Sequence, residues 1–193
     1  MGRPREFNVS KAIERATEVF WVHGYEDASL PDLLNGMGLT RGSLYKAFTD
    51  KRSLFLRVLD HYERRAVQSG YDMLTDSAIS DGRKRIQSMF ANVYDAVKDG
   101  DHRGCLLCTA AAGPSANDPE IAKHVTDGLS LLRKGIAQAL KDSPKHCVWD
   151  EGKRLRLADH LLTQYVGLRI IARSQVPMGI LEHACEGIAE LLD

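Results

Sequence analysis

Basic and hydroxyl side chains are concentrated in one short segment of the chain, residues 29–48. Between Leu33 and Thr49 the sequence contains no Asp or Glu, whereas Arg41 and Lys46 supply positive charge. Guanidinium and ammonium groups bind phosphates and donate hydrogen bonds to base edges in the major groove. This segment therefore predicts a local surface for double-stranded nucleic acid.

A second group with chemical potential is His102, Cys105 and Cys108. Cys-x-x-Cys beside a His can be half of a zinc site, but a structural site needs four ligands at set spacing, and none of the other candidates (His124, His146, Cys147, Cys185) lies at motif spacing. A thiol pair one turn apart could instead respond to oxidants, because a helix N-terminus lowers a thiol pKa. The third interpretation, which we favour, is two small half-buried side chains in an apolar helix. We expect no metal and no cofactor.

Motifs for catalysis are missing from the sequence. We find no Gly-rich phosphate loop, no nucleophile elbow and no paired carboxylates at motif spacing. The acidic residues are scattered over polar faces, so we expect a protein that is not an enzyme.

The elements that position these residues are helices. Apolar residues recur at helical spacing in four stripes, which begin near residues 9, 54, 86 and 121, and the first stripe is expected to end at Gly24. Alternating β-branched runs are missing. Glycine- and proline-rich breaks at 100–104, 113–119 and 143–146 separate them. The sequence therefore predicts an all-α fold without an internal linker.

Within residues 29–48 the pattern is that of a helix-turn-helix. Ser29 with Asp32 resembles a capping box with Pro31 in the first turn, and the helix is expected to end at Gly36 or Gly38. Two short helices joined by a tight glycine turn form this motif.

The second helix of the motif is expected to begin at its cap, Thr40, and to run through Phe48. Leu44 and Phe48 would form its buried face, which leaves four side chains pointing outward: Arg41, Ser43, Tyr45 and Lys46. Asp50 would cap the next helix and place Lys51 at a positive helix end, where a phosphate can bind.

The whole composition limits the class of protein. The 193 residues carry 26 basic and 26 acidic side chains, which excludes a protein that binds nucleic acid with its entire surface. A hydrophobic content of 44% is that of a soluble globular protein. The sequence shows no signal peptide and no apolar run of membrane-spanning length. Its four cysteines are most simply interpreted as reduced thiols. We therefore expect a cytoplasmic protein with no membrane partner.

Two C-terminal segments, residues 155–172 and 180–192, carry apolar residues around most of their circumference. A helix that is apolar on all sides must be buried on all sides. We interpret the two segments as the interface of a homodimer, with an ordinary intrachain core as the alternative.

The N-terminal part of the sequence resembles the TetR/AcrR family of transcriptional regulators. Residues 2–60 carry the resemblance through the order and spacing of a set of motif residues: Phe20, His23, Gly24, Tyr25, Glu26, Ser29, Leu30, Asp32, Leu33, Met37, Gly38, Leu39, Thr40, Gly42, Ser43, Leu44, Tyr45, Phe48 and Lys51. The opening residues 2–7 are similar to one large subgroup, and residues 104–107 resemble a motif of the family's ligand domain. Pro31 departs mildly from the family pattern, since a polar residue usually stands there.

The resemblance implies about nine helices, with a DNA-binding head in residues 1–50 and a ligand-binding and dimerisation domain in residues 51–193. It implies a homodimer joined through the last two helices, which binds a palindromic DNA operator and is released by a small-molecule inducer. It places ten residues at the DNA: Arg3, Arg5, Ser29, Thr40, Arg41, Gly42, Ser43, Tyr45, Lys46 and Lys51.

In relatives the inducer pocket is lined by helices of the larger domain. The resemblance thereby gives eight candidate wall residues here: Phe90, Tyr94, Cys105, Cys108, Thr109, Trp149, Gln164 and Tyr165. The sequence thus predicts a ligand-responsive repressor. Two alternatives remain, namely a thiol-sensing regulator that uses Cys105 and Cys108, and a helical interaction protein that no longer binds DNA.

Overall fold

The computed structural model describes residues 8–193, and these form helices without a β-strand. Ten α-helices follow one another: α1 (Val9–Asp27), α2 (Leu30–Met37), α3 (Arg41–Ala47), α4 (Lys51–Tyr62), α5 (Gln68–Thr75), α6 (Gly82–Lys98), α7 (Leu106–Ala112), α8 (Pro119–Lys141), α9 (Glu151–Ile171) and α10 (Met178–Leu192). A π-helical segment, Glu63–Val67, joins α4 to α5 without a break. With α4 and α5 counted as one helix, this part of the chain has nine α-helices, as the sequence predicts.

The start and end of α2 follow from its sequence. The Ser29 side chain accepts a hydrogen bond from the backbone N–H of Asp32, and the Asp32 carboxylate accepts one from the N–H of Ser29. Gly38 ends the helix with a φ of 66°, a left-handed conformation that glycine adopts without strain. Gly36 does not end α2 but lies inside it, where its missing side chain lets the helix approach Val19 of α1.

The next two helices also begin at their expected caps. Thr40 accepts a hydrogen bond from the N–H of Ser43 at the start of α3, and Asp50 accepts one from the N–H of Ser53 at the start of α4. Helix α1 is different, since Gly24 was expected to end it. Gly24 kinks the helix with a φ of 80°, and helical backbone resumes as far as Asp27.

The core is built as two apolar clusters. The first runs from the head, α1–α3, through α4 into α7 and α8, so that no polar layer separates the head from the rest. The second joins α5, α6, α8, α9 and α10. Leu162 and Tyr165 of α9 pack against both clusters and make the core continuous.

The last two helices are less apolar on their outer side than the sequence suggests. Much of the apolar surface of α9 is buried within the same chain, for example at Leu161 and Leu168. The outward sides of α9 and α10 combine polar and small residues with three exposed apolar side chains, those of Ile170, Ile180 and Leu191.

One ion pair joins three helices of the larger domain. Arg85 of α6 is 1% exposed, and its guanidinium donates to the carbonyl of Leu74 at 2.9 Å and to the carboxylate of Asp142 at 2.7 Å. A buried guanidinium that loses its carboxylate remains as an uncompensated charge.

We therefore expect Asp142→Ala to lower the free energy of unfolding by about 2–3 kcal/mol, somewhat less than for a fully buried pair, because the Asp142 side chain keeps 34% of its surface exposed. Urea denaturation measures this loss. The matched control is Asp159→Ala, which removes an exposed partner of Arg133 and should change stability by at most about 1 kcal/mol. Equal losses of unfolding free energy in the two variants would contradict the assignment of Arg85 and Asp142 as a stabilising buried ion pair.

Candidate nucleic-acid interface and the junction behind it

Helix α3 presents one buried and one exposed face. Leu44 is 1% exposed and packs into the first cluster, as does Phe48 just after the helix. The opposite face carries Arg41, Tyr45 and Lys46, all exposed. This face can contact base edges and phosphates, since nothing in residues 8–193 covers it.

The exposed face of α3 is partly ordered by its own contacts. The Arg41 guanidinium carbon lies 5.8 Å from the centre of the Tyr45 ring, and the Thr40 and Ser43 hydroxyls are 3.0 Å apart. Gly42 has open space above it, with no atom within 4 Å of a Cβ built at that position. Its backbone is therefore accessible to a close neighbour such as a phosphate.

The other predicted DNA contacts surround this helix. Ser29 is exposed at the start of α2. The Lys51 ammonium donates to the carbonyl of Glu26 at 3.0 Å and lies 4.9 Å from the Tyr25 ring centre, so it links α4 to the end of α1. Arg3 and Arg5 lie outside the described residues.

Ion pairs fix the start of α4, the helix that directly follows the head, to the start of α8. Arg52, in the first turn of α4, binds Asp118 at the start of α8, with 2.9 Å from Nη2 to Oδ1, and also pairs with Glu120. Asp118 also caps α8 through the N–H groups of Glu120 and Ile121. The guanidinium of Arg52 lowers the pKa of Asp118 to about 2, which keeps this carboxylate ionised.

A second connection centres on the backbone carbonyl of Gly104. This oxygen accepts the indole N–H of Trp21 in α1 at 3.1 Å and a guanidinium N–H of Arg169 in α9. Arg173 extends the contact, since its guanidinium donates to the carbonyls of Trp21 and Arg103, both at 2.8 Å. We call this set of contacts the junction, because it joins the head to the larger domain.

Two thiols lie directly behind the junction. The Tyr62 hydroxyl donates to the Cys105 sulfur at 3.6 Å, and both Cys105 and Cys108 are buried. The Cys108 thiol, together with the positive charge of Arg169 and the Tyr62 hydroxyl, lowers the pKa of Cys105 to about 6. Hydrogen bonding to Cys105 and burial raise the pKa of Cys108, so Cys105 is the thiol of the pair that ionises first.

The structure separates the eight predicted ligand residues. Cys105, Cys108, Thr109 and Tyr165 lie together around Arg169, and Tyr165 packs edge-on against Phe90 at 5.6 Å. The other three predicted ligand residues lie elsewhere: Trp149 packs against His146 in the turn before α9, Gln164 is exposed, and Tyr94 lines the second cluster.

Sequence reasoning missed Trp21, Tyr62, Arg169 and Arg173. A signal was present for the arginines, because Arg169 and Arg173 stand one turn apart near the end of an otherwise apolar segment. No local signal could have found Trp21, whose role depends on a contact 83 residues away in sequence.

Comparison with known proteins decides the family. The model of bacterial regulatory proteins of the tetR family matches residues 12–58. The solved structure of the TetR family transcriptional regulator CifR, a cysteine mutant complexed with operator DNA, is 30% identical and superposes with a TM-score of 0.78 over 97% of this chain and 98% of CifR. The chain belongs to the TetR family.

Other members of the TetR family match over shorter lengths. The regulator YezE of Bacillus subtilis is 33% identical over 64% of this chain, and the match covers 63% of YezE. The repressor ComR of Escherichia coli is 28% identical over 76% of this chain and 72% of ComR.

Two further properties of this TetR-family chain concern residues 8–193 alone. None of the helices there is long and apolar enough to cross a membrane. No three His, Cys, Asp or Glu side chains in that range converge as a metal site, and His102 faces the carbonyl of Ala172 at 3.4 Å.

The junction of this TetR-family chain requires glycine at position 104. Gly104 has a φ of 68°, and a Cβ there would lie 2.6 Å from the carbonyl oxygen of Arg169. We expect Gly104→Ala to lower the free energy of unfolding by about 2–4 kcal/mol, the sum of backbone strain and a forced displacement of α9.

The matched control for this prediction is Gly100→Ala. Gly100 also has a positive φ, 90°, but no atom lies within 4 Å of its added Cβ, so only backbone strain of about 1–2 kcal/mol is expected. Urea denaturation compares the two variants. The prediction is wrong if both lose the same free energy.

Proposed function

We propose that this protein is a homodimeric transcriptional repressor that binds a palindromic operator and leaves it when a small molecule binds. The observation that carries the proposal is the exposed basic face of α3, set on a buried face that fixes its orientation. The operator complex of CifR, a protein with the same fold, supports it. The proposal places the protein in the cytoplasm and assigns it no catalytic step.

In this proposal the residues of the head have two kinds of role. Arg41, Ser43, Tyr45 and Lys46 project from α3 towards the base edges and the adjoining phosphates. Thr40, Gly42 and Lys51 position the helix on the backbone, as do Ser29, Arg3 and Arg5. Residues 1–50 would then form the DNA-binding part and residues 51–193 the ligand-binding and dimerisation part.

The dimer is proposed to form through α9 and α10. Gly167, Gly179 and Gly187 have no atom within 4 Å of an added Cβ, so they leave space on these helices for close approach of a partner. Ile180 and Leu191 supply apolar area beside them. Two-fold symmetry then sets the half-site separation at about 34–36 Å or a multiple of it.

The operator itself tests the main proposal. Selection from random duplex DNA by the purified, reduced protein should enrich a palindrome. Arg41→Ala should relax the preference at one base position by about 1–3 kcal/mol. Lys51→Ala should instead weaken binding to all sequences alike and reduce the slope of log affinity against log salt concentration by about 1.

The control for these variants is Lys141→Ala, which removes an exposed positive charge at the end of α8. It should leave operator binding unchanged at matched salt. Failure of the folded, dimeric protein to enrich any sequence would favour the interaction protein instead.

A second candidate function is thiol sensing, and the observation that favours it is the cluster of Cys105, Cys108, Tyr62 and Arg169. A Cys105 thiolate can attack the O–O bond of a hydroperoxide, which gives a sulfenic acid on Cys105 and releases an alcohol or water. The Cys108 thiol can then condense with that sulfenic acid, forming a disulfide and releasing water. Either product would alter the contact with Tyr62 in the helix that carries the head.

We therefore expect hydroperoxide to release the operator from the wild-type protein but not from Cys105→Ser. The rate should fall as the pH drops through about 6, because only the thiolate reacts. A mobility shift after timed exposure measures the release, with Cys147→Ser, which removes an exposed thiol, as control. Equal release in wild type and Cys105→Ser would remove thiol sensing.

A further inference from the structure

A cavity of about 400 Å³ opens between the head and the larger domain, and it is distinct from the packed core around Phe90. The end of α1 with Gly24 forms one wall, and α7 with Cys108 and Thr109 forms the opposite wall. Arg169 and Arg173 complete it from the end of α9. We call it the junction cavity. Its volume lies at the lower end of the range for small-molecule sites.

The two arginines of the junction cavity lack carboxylate partners. Within residues 8–193 no Asp or Glu oxygen lies within 4.0 Å of either guanidinium, whereas the buried guanidinium of Arg85 has Asp142 as such a partner. Arg169 and Arg173 donate to backbone carbonyls instead, and the buried Nε of Arg169 has no hydrogen-bond partner. Positive charge that is shielded from water and not paired favours the binding of an anion.

Groups already near these arginines compensate their charge incompletely. Asp101 is engaged by Arg103, with 2.7 Å between Oδ2 and Nη2. Ionisation of Cys105 would offset one positive charge, that of Arg169, and would leave Arg173 without a negative partner. The arrangement therefore has room for one further negative charge.

The remainder of the cavity wall limits the kind of anion. Ile170, Ala112 and Pro114 give apolar surface, which suits a hydrocarbon tail. Glu26 and Asp27 are exposed acidic residues of the wall, and the Glu26 carboxylate accepts the N–H of Ser115 at 2.7 Å. These exposed acids repel any anion, and they repel one with several negative charges more strongly, so among anions the cavity favours a monoanion.

We propose that the junction cavity binds a small monocarboxylate with an apolar tail, whose carboxylate pairs with Arg169 and Arg173, and that this acid is the inducer. The inference rests on the proposed function, because it names the ligand class of that repressor. A guanidinium fork matches the two oxygens of a carboxylate. The apolar tail would lie along Ile170 and Pro114.

The position of the cavity explains how such a ligand would affect DNA binding. Arg169 donates to the Gly104 carbonyl that also holds Trp21, and Arg173 donates to the carbonyl of Trp21 itself. A carboxylate that draws these guanidinium groups into the cavity competes with the bonds that fix α1. The ligand would thus bind more tightly to a state in which the head has moved, which is the condition for induction.

The test uses full-length protein and pairs of probes that differ in charge alone. The probes are acetate, butyrate, hexanoate, octanoate, benzoate and phenylacetate, each beside its primary amide, at constant ionic strength, at about pH 7.5, where the acids are ionised. Binding is followed by calorimetry and by operator affinity. We expect at least one longer or aromatic acid, at about 10 mM or below, to weaken operator binding about tenfold. The matching amide should have less than about a twofold effect.

Substitutions of α9 locate the effect. Arg169→Met should abolish carboxylate binding, and Arg169→Lys should retain a weaker response, because it keeps the charge but not the fork. Lys134→Met, which removes an exposed positive charge from α8, away from the cavity wall and from α9 and α10, should respond as wild type does.

Three results would overturn the carboxylate site: no acid of the series binds, acid and amide act equally, or Arg169→Met responds like wild type. Operator binding without any probe is measured separately in each variant. Its loss in the wild-type protein would contradict the proposed function rather than the ligand class.

Discussion

The contact between α1 of the head and α9 of the larger domain depends on one backbone oxygen, the carbonyl of Gly104. It receives a hydrogen bond from Trp21 in α1 and another from Arg169 in α9, so two helices that are far apart in sequence share one acceptor. The left-handed backbone of Gly104 aims that carbonyl, and the absence of a side chain lets α9 approach. The contact between α1 and α9 therefore depends on the conformation of a single loop residue.

The charge distribution of the junction is as important as its hydrogen bonds. At the buried Arg85 the protein neutralises the charge with the carboxylate of Asp142. At the junction Arg169 has backbone carbonyls, tyrosines and thiols around it instead. Both proposed signals, oxidation of a Cys105 thiolate and arrival of a carboxylate, change the negative charge beside the same guanidinium. An oxidant and a carboxylate ligand can thus act on the same contacts, those of the junction.

The sequence was sufficient for whatever depends on local interactions. The caps Ser29, Thr40 and Asp50 and the left-handed Gly38 follow from side chains within three or four residues of one another, and the structure has each of them. Their spacing, together with the buried side chains of Leu44 and Phe48, also predicts the outward face of α3. The DNA contacts themselves remain predictions.

Sequence reasoning was weaker where long-range packing determines which residues lie together. Aromatic residues at helical spacing look alike whether they line a pocket or fill a core, and Phe90 with Tyr165 proves to be packed. Trp149 lies in another part of the fold because a turn held by His146 places it there. Arg169 was overlooked although an arginine in an apolar segment is a signal, because its role depends on a contact with Gly104, 65 residues away in the sequence.

The Arg52 ion pairs and the junction differ in what can loosen them. The Arg52 ion pairs with Asp118 and Glu120 lie near the surface and outside the wall of the junction cavity, so a small ligand of that cavity does not contact them. The Trp21–Gly104–Arg169 contacts border that cavity. The Arg169 guanidinium in them can exchange the Gly104 carbonyl for a carboxylate, which is a stronger hydrogen-bond acceptor. If the junction loosens while the Arg52 ion pairs hold α4, we expect the head to turn relative to α8 instead of being released. A rotation of that kind changes the separation of two recognition helices in a dimer, and a fixed half-site spacing makes operator affinity sensitive to it.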